Sequence, residues 1–425
     1  MTAQDCDVLI VGGGIGGCVA ALAAARAGAR TVLVERLGFL GGSATAAAVG
    51  QFVGWETAAG RRVVAGIAEE IVAALVARDA SPGHAHFVMS TGHRMDRVSY
   101  DPEVLKLVLD ELLGAAGVAV LFHATFAGLA MRGATIARAD VLARGRTLTF
   151  APRVAVDASG DLELLAAAGA RFLPLEEGEV LQPATTMFRF GPIDYAAFDA
   201  IPAATLRALC AEGVAAGALP RAALHQSRAP GTDDGWFNVG RVAVDSTDPF
   251  ALSRAEADGR RQAFAAAAFI RARVPGCAGG RLTALAPQLG IRESRRVAGL
   301  HVLTADEVRA GTACADAIAA GAYPIDIHPA QGAGLRFETL GEDHAYAIPL
   351  RCLIPAGLDN AFVAGRGISA THTAHAATRV MPGTMAIAQA AGTAAAWQAR
   401  HGGSAAQVPA AAVRAALVDA GAIVP

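Results

Sequence analysis

Val8-Leu-Ile-Val-Gly12-Gly13-Gly14-Ile15-Gly16-Gly17 is the stretch that decides the fold. A short apolar strand over Asp7–Val11 runs into a glycine turn, and an alanine-rich helix is predicted from Ile15 to Ala27. Gly28 would stop that helix, because a glycine takes the left-handed conformation of a C-terminal cap without penalty. Thr31–Val34 then reads as a second strand that ends at Glu35. This strand, turn, helix and strand are the context that gives a Gly-x-Gly-x-x-Gly pattern meaning. Gly12 permits the tight turn, Gly14 lets a diphosphate approach the backbone, and Gly17 permits close packing of helix on strand. The helix N-terminus offers unpaired N–H groups and a positive dipole to that diphosphate. Glu35 is placed to accept hydrogen bonds from ribose hydroxyls. The run Val8–Ala25 approaches the length of a membrane span, but its central glycines would break a spanning helix.

Working outward, Gly41-Gly42-Ser43 follows soon after the acid, where a chain can cross a diphosphate a second time. Val154-Ala-Val-Asp157-Ala-Ser-Gly160-Asp161 has the form of a strand entering a turn. Phe362-Val-Ala-Gly365-Arg366-Gly367 has the same form, and Met381-Pro-Gly383-Thr384-Met385 opens a long alanine-rich helix. Its N-terminus can face a flavin pyrimidine, where negative charge develops on reduction. The glycine pair and the later motifs resemble those of glutathione-reductase-like FAD proteins, and that resemblance implies FAD in preference to NAD. Ser43, in place of a histidine, leaves the flavin without a covalent histidyl link at that spot. The expected cofactor contacts are Gly12, Gly14, Ile15, Gly17, Glu35, Arg36, Gly41, Gly42 and Ser43 from the first unit, then Thr125, Phe126, Asp157, Gly160 and Asp161, and finally Gly365, Arg366, Gly383, Thr384 and Met385.

The expected fold class is α/β. A Rossmann-like FAD-binding domain of glutathione-reductase type is built from 1–181 and 340–402. An α+β substrate domain is inserted over 182–339, and 403–425 forms a helical tail. Pro102–Leu113 is predicted as a helix behind the N-cap Asp101. Thr125–Phe150 is predicted as an antiparallel meander and Val297–Leu303 as a strand. The 425 residues are 53% hydrophobic and 17% charged, with a net charge of −2. They can bury a large interior, and the low charge leaves room for a homo-oligomer interface. No basic stripe calls for nucleic acid or an anionic membrane. The six cysteines are scattered without a Cys-x-x-Cys pair, which fits free thiols in a reducing, cytoplasmic setting. The N-terminal Met1-Thr-Ala-Gln-Asp-Cys-Asp7 has no positive signal-peptide region.

The chain resembles the FAD-dependent oxidoreductase family of bacterial flavoproteins, relatives of proteins labelled xanthan lyase. Besides the motifs above, the resemblance is carried by Ser99-Tyr-Asp-Pro-Glu103, Leu289-Gly-Ile-Arg292-Glu293-Ser-Arg295-Arg296, Tyr323-Pro-Ile-Asp326-Ile-His328, Tyr346-Ala-Ile-Pro349 and Ala364 through Gly392. It implies bound FAD and an oxidoreductase role on a small-molecule substrate, without naming the reaction. A dehydrogenase or oxidase that moves a hydride between substrate and non-covalent FAD is the leading expectation. A flavin monooxygenase and a non-catalytic electron-relay subunit are the alternatives. The absence of a second Gly-x-Gly-x-x-Gly and of paired cysteines disfavours a disulfide reductase. Ala364-Gly365-Arg366 stands where the monooxygenase pattern has Gly-Asp-Ala.

His372 and His375 lie between the third motif and the last helix, where imidazole could transfer protons or could simply pack. Arg292, Arg295 and Arg296 could hold a substrate carboxylate in a bidentate fork, or form a charge cluster. Arg379 precedes the turn expected at the flavin pyrimidine and could face the flavin, and Tyr346 and His328 are weaker candidates. No metal site is expected, since His372-x-x-His375 lacks a third ligand and His84, His86 and His93 read as loop residues.

Overall fold

The computed structural model describes residues 3–88, 93–329 and 336–425. Strand β1 (Gln4–Val11), helix α1 (Ile15–Arg26) and strand β2 (Thr31–Val34) form the opening unit. β1 and β2 are parallel, in register from Val8↔Thr31 to Val11↔Val34. Val8 to Ile10 are wholly buried, as a strand covered on both faces requires. Gly28 follows the helix at φ 89°, the left-handed cap its position predicts.

A small antiparallel sheet comes next, built from β3 (Gln51–Val53), β4 (His84–Val88) and β5 (Arg94–Ser99), with α2 (Ile67–Val76) in between. Helix α3 (Pro102–Ala115) starts at Asp101, whose carboxylate accepts the Glu103 N–H. β6 (Ala119–Leu121) extends the main sheet beside β2. The meander β7 (Ala124–Arg132), β8 (Thr135–Ala143) and β9 (Arg146–Asp157) follows. β9 is long because it serves two neighbours in succession. Its first residues pair antiparallel with β8 (Ala139↔Phe150 to Ala143↔Arg146), while Phe150 to Asp157 pair parallel with β1.

After the short helix α4 (Glu163–Ala167), the chain leaves this body. β10 (Phe188–Gly191), α5 (Tyr195–Asp199), α6 (Ala203–Ala215), β11 (His225–Arg228), β12 (Gly235–Asn238), α7 (Pro249–Arg273) and β13 (Arg281–Leu285) make a second unit. Its sheet has the order β11-β12-β10-β13. Phe188, Phe190, Phe237 and Ile270 form a core separate from the main one. Phe188 and Phe237 stack with ring centroids 5.5 Å apart.

This second core ends earlier than the expected boundary at 339. Val297, Leu303, Val308 and Ile318 are buried in the main core. Val297 bridges to Phe172, and Leu303 to Ala370. These are isolated bridges, so Val297–Leu303 is not the strand expected there. The return passes through α8 (Ala305–Ala310), β14 (Ala317–Gly321), β15 (Ile325–Ile327), β16 (Arg336–Glu338) and β17 (Tyr346–Pro349). β14 pairs with β17, and β15 with β16. β18 (Ala361–Val363) pairs parallel with the last three residues of β9.

Helix α9 (His372–Thr378) leads to α10 (Met381–His401), and α11 (Ala410–Asp419) closes the described chain. α10 lies directly on α1. A Cβ on Gly392 would fall 2.1 Å from the Ala20 carbonyl oxygen, so the two backbones meet without room for a side chain. The alanine abundance of both helices serves this approach.

Candidate functional site

β1, β9 and β18 end side by side, and a cleft of ≈ 350 Å³ opens at their C-terminal edge. Ligands of open parallel sheets bind at that edge. At one end the Gly12 turn meets the Gly41-Gly42 pair. The Gly41 N–H donates to Gly13 O at 2.8 Å, and the Ile15 N–H to Gly41 O at 3.2 Å. Gly12 has φ 104°, and a Cβ there would lie 2.4 Å from Ala158 O. Glu35 is buried, with Oε2 accepting the Gly13 N–H and Oε1 the Leu37 N–H, both at 2.7 Å. Burial raises its pKa despite these bonds. Both oxygens keep lone pairs for a further donor.

The residues at this end fit a dinucleotide. A Cβ built on Gly14 would find only Gly42 Cα, at 3.9 Å, and one on Gly365 would find nothing within 4 Å. Both glycines line the cleft, so their missing side chains leave room for a ligand. The first-turn N–H groups of α1 and α10 have no acceptor within their own helices. Of the residues expected at the cofactor, Gly12, Gly14, Ile15, Glu35, Arg36, Gly42 and Ser43 line this one cleft. So do Thr125, Phe126, Gly160, Asp161, Gly365, Arg366 and Thr384. Arg366 donates to Asp161 Oδ1 at 2.8 Å, which joins the second and third motifs across the cleft.

Other expected contacts stand behind the wall. A Cβ on Gly17 would lie 1.8 Å from Gly12 O, which makes Gly17 a packing glycine. Gly41 acts through its backbone. Asp157 is fully buried and accepts from Ser159 N–H, Ser159 Oγ and Leu165 N–H, so its carboxylate holds the turn. Gly383 and Met385 are buried within α10, outside the lining.

The far end of the cleft is polar. Arg292, Tyr323, Asp326, His328 and Arg379 line it together with Thr185 and Asn238. Tyr323 donates to Asp326 Oδ2 at 3.0 Å, and His328 Nε2 lies 3.3 Å from the same oxygen. Arg379 donates to Asp326 O at 3.0 Å. Burial pushes the Asp326 carboxyl up, but the bond with His328 and the Arg379 charge outweigh it and hold it well below the usual carboxylate range. Burial, then the Arg292 charge, push His328 down to about 3, so its imidazole is neutral near pH 7. Burial, then the Arg379 charge, lower Arg292 to about 9, which leaves it a cation.

His372 and His375, expected as proton-transfer residues, are not brought to the cleft lining. They are buried on α9, which faces inward because both sit on the side that meets Glu293. His372 Nδ1 lies 2.8 Å from Glu293 Oε1, and Arg296 Nε lies 3.4 Å from that oxygen. Arg296 also donates to Ala370 O and Pro174 O, and Arg295 to Asp161 O. Among the three clustered arginines, therefore, only Arg292 lines the cleft. Tyr346 is buried and donates to Ala377 O. His84 and His86 belong to β4, paired with Asp96 and Glu56. No metal-ligating cluster occurs among the described residues.

Tyr323 and Asp326 were missed as site residues, although their segment stands out in the sequence. Asp326 and His328 are two apart on an extended segment, where side chains fall on one side. That spacing was the available signal. Gln51, Thr185 and Asn238 gave none, because their place depends on how the small sheet and the second unit fold against the cleft.

Among described residues no helix is long and apolar enough to cross a membrane. All six cysteines are free. No match is found among curated proteins. Among solved structures, the flavin-dependent brominase Bmp2 is 12% identical, with 98% of this chain and 83% of that chain covered and a TM-score of 0.51. A geranylgeranyl bacteriochlorophyll reductase-like protein from Thermoplasma acidophilum is 14% identical over 94% and 79% of the two chains, with a TM-score of 0.46. At 12% identity the likeness to the brominase concerns the fold alone. The family model described as FAD dependent oxidoreductase matches residues 7–417. The chain belongs to that FAD-dependent oxidoreductase family, and FAD is its cofactor.

Proposed function

We propose that this protein is a dehydrogenase or oxidase that moves a hydride between a small organic substrate and non-covalent FAD. The observation that supports this reading is the Tyr323–Asp326–His328 group, set in the wall of the same cleft that carries the glycine cradle. Gly12, Gly14 and the α1 N-terminus would hold the diphosphate, Glu35 the adenosine ribose, and Gly365, Arg366 and the α10 N-terminus the flavin half. FAD supplies a two-electron acceptor there.

The chain's own part is to place the substrate and manage its proton. Oxidation of an alcohol or amine carbon releases a proton from the attached O–H or N–H. His328 is neutral, the form that can accept one. Asp326 Oδ2 lies 3.3 Å from His328 Nε2, a contact that favours the tautomer with its proton on Nε2 and Nδ1 as acceptor. Tyr323 and Arg379 keep Asp326 ionised and in place.

Anaerobic titration of the yellow protein with a panel of metabolites tests this reading. Bleaching of the flavin by a substrate alone, without NAD(P)H, is the expected outcome. Bleaching only by NADPH with an aromatic acceptor present would replace it with a monooxygenase.

A further inference from the structure

The far wall of the cleft carries more positive charge than the protein itself neutralises. Arg292 donates only to neutral acceptors, namely Pro183 O, Thr185 Oγ1 and Asn238 Oδ1. Arg221 is 5% exposed, yet no hydrogen bond or ion pair ties its side chain to another described residue. It sits close enough to act electrostatically on Arg292. Arg379 shares Asp326, and its Nε is buried without a partner. Asp326 is the only carboxylate felt by both Arg292 and Arg221. Residues 330–335, Ala-Gln-Gly-Ala-Gly-Leu, carry no charge that could complete the count.

Among the described residues, the buried Arg221 and the half-buried Arg292 and Arg379 have Asp326 as their shared carboxylate, with Arg241 adding positive charge nearby, and cations so poorly balanced in a partly desolvated wall favour an incoming anion. We propose that the missing counter-ion belongs to the substrate, and that the cleft takes an organic acid whose carboxylate docks on Arg292 and Arg379, with Arg221 behind them. This rests on the proposed oxidoreductase reading and narrows its substrate class to carboxylates. The guanidinium fork of Arg292 matches a carboxylate in shape. Burial is the larger cause of the low His328 pKa and would persist, but docking would offset the second, the Arg292 charge, and so make the imidazole a stronger base when the substrate is bound.

Acetate and its neutral isostere acetamide, titrated into the FAD-loaded protein at constant ionic strength, are the probes. Acetate is expected to perturb the flavin spectrum saturably and to raise the melting temperature, and acetamide to do neither. Arg292→Met should weaken acetate binding by about 10- to 150-fold, the loss of a charge-assisted bond. Arg221→Met should have two opposed effects. Removing an unpaired buried cation should raise the urea midpoint of the protein without acetate, and acetate affinity should fall several-fold. Equal responses to acetate and acetamide, no response to acetate, or unchanged acetate affinity in both variants would overturn the proposal. The two readings fail separately. Flavin bleached by neutral substrates with no acetate response removes only the carboxylate. Acetate binding to a protein that no substrate bleaches removes only the redox reading.

Discussion

Gly14 and Gly17 stand three residues apart in one motif, and the structure gives them opposite duties. Gly14 has φ −62° and ψ 171°, a conformation open to alanine. A methyl at Gly14 would meet no protein atom closer than 3.9 Å. In the FAD-free protein, Gly14→Ala therefore has two small effects. Alanine is the poorer N-cap, by about 0.5–1 kcal/mol, and it lowers unfolded-chain entropy by about 0.4–1 kcal/mol in compensation. The net change in stability should be close to zero. The methyl would instead project into the cleft where the diphosphate is to lie. Overpacking of that kind costs about 1–3 kcal/mol, which corresponds to FAD binding weaker by roughly 5- to 150-fold. At Gly17 the same methyl would lie 1.8 Å from Gly12 O, so the helix or the turn must move. Gly17→Ala should thus destabilise the FAD-free protein itself, by about 3 kcal/mol. Reconstitution of FAD-free protein followed by flavin fluorescence gives the affinity, and urea unfolding of the same sample gives the stability. A Gly14→Ala protein that binds FAD within twofold of the parent would refute the placement of the diphosphate.

Glu293→Gln should cost about 3–5 kcal/mol in urea unfolding at neutral pH, since it leaves the buried Arg296 guanidinium without its counter-charge. A loss below 1 kcal/mol would show that the carbonyl bonds of Arg296 suffice. Burial holds His375 down at about 3, so between pH 6.5 and 3 the unfolded chain binds a proton that the folded one refuses. Stability should therefore fall with acidification across that window, by up to about 1.4 kcal/mol per pH unit from this group. His375→Leu should flatten the slope of urea midpoint against pH, and superimposable slopes would rule His375 out as the cause. His328→Gln should slow substrate-driven flavin bleaching by about 100-fold or more at unchanged FAD content. An unaltered rate would remove His328 from proton transfer.

The glycine end of the candidate site was legible in the sequence because its determinants are local. Gly12, Gly14, Gly17 and Glu35 sit on one strand–turn–helix–strand unit, whose spacing fixes where each lies. The substrate half was legible only in part. Arg292 was found through the arginine-rich run it shares with Arg295 and Arg296, whereas Arg221 lies in the second unit, far from it in sequence, and acts on Arg292 only once that unit has folded. His372 and His375 looked chemical because they lie between two cofactor motifs. The short helix α9 turns them toward Glu293 instead, a rotation that linear position does not encode. The extent of the second core was illegible for a related reason. The apolar residues of β14 and β17 carry no mark of which core they enter, and they pack in the main one.

The packing of α10 on α1 sets a schedule for synthesis. The cleft wall begins at Gly12 but is completed by Gly365 and Thr384, and α10 must lie along α1 before those residues are in place. At about 5–20 residues per second, roughly 17 to 70 s separate the emergence of Glu35 from that of Thr384. Through that interval the nascent chain has only one side of the cleft. A ligand that needs both sides of that cleft can therefore be held only by a chain whose last long helix has already docked.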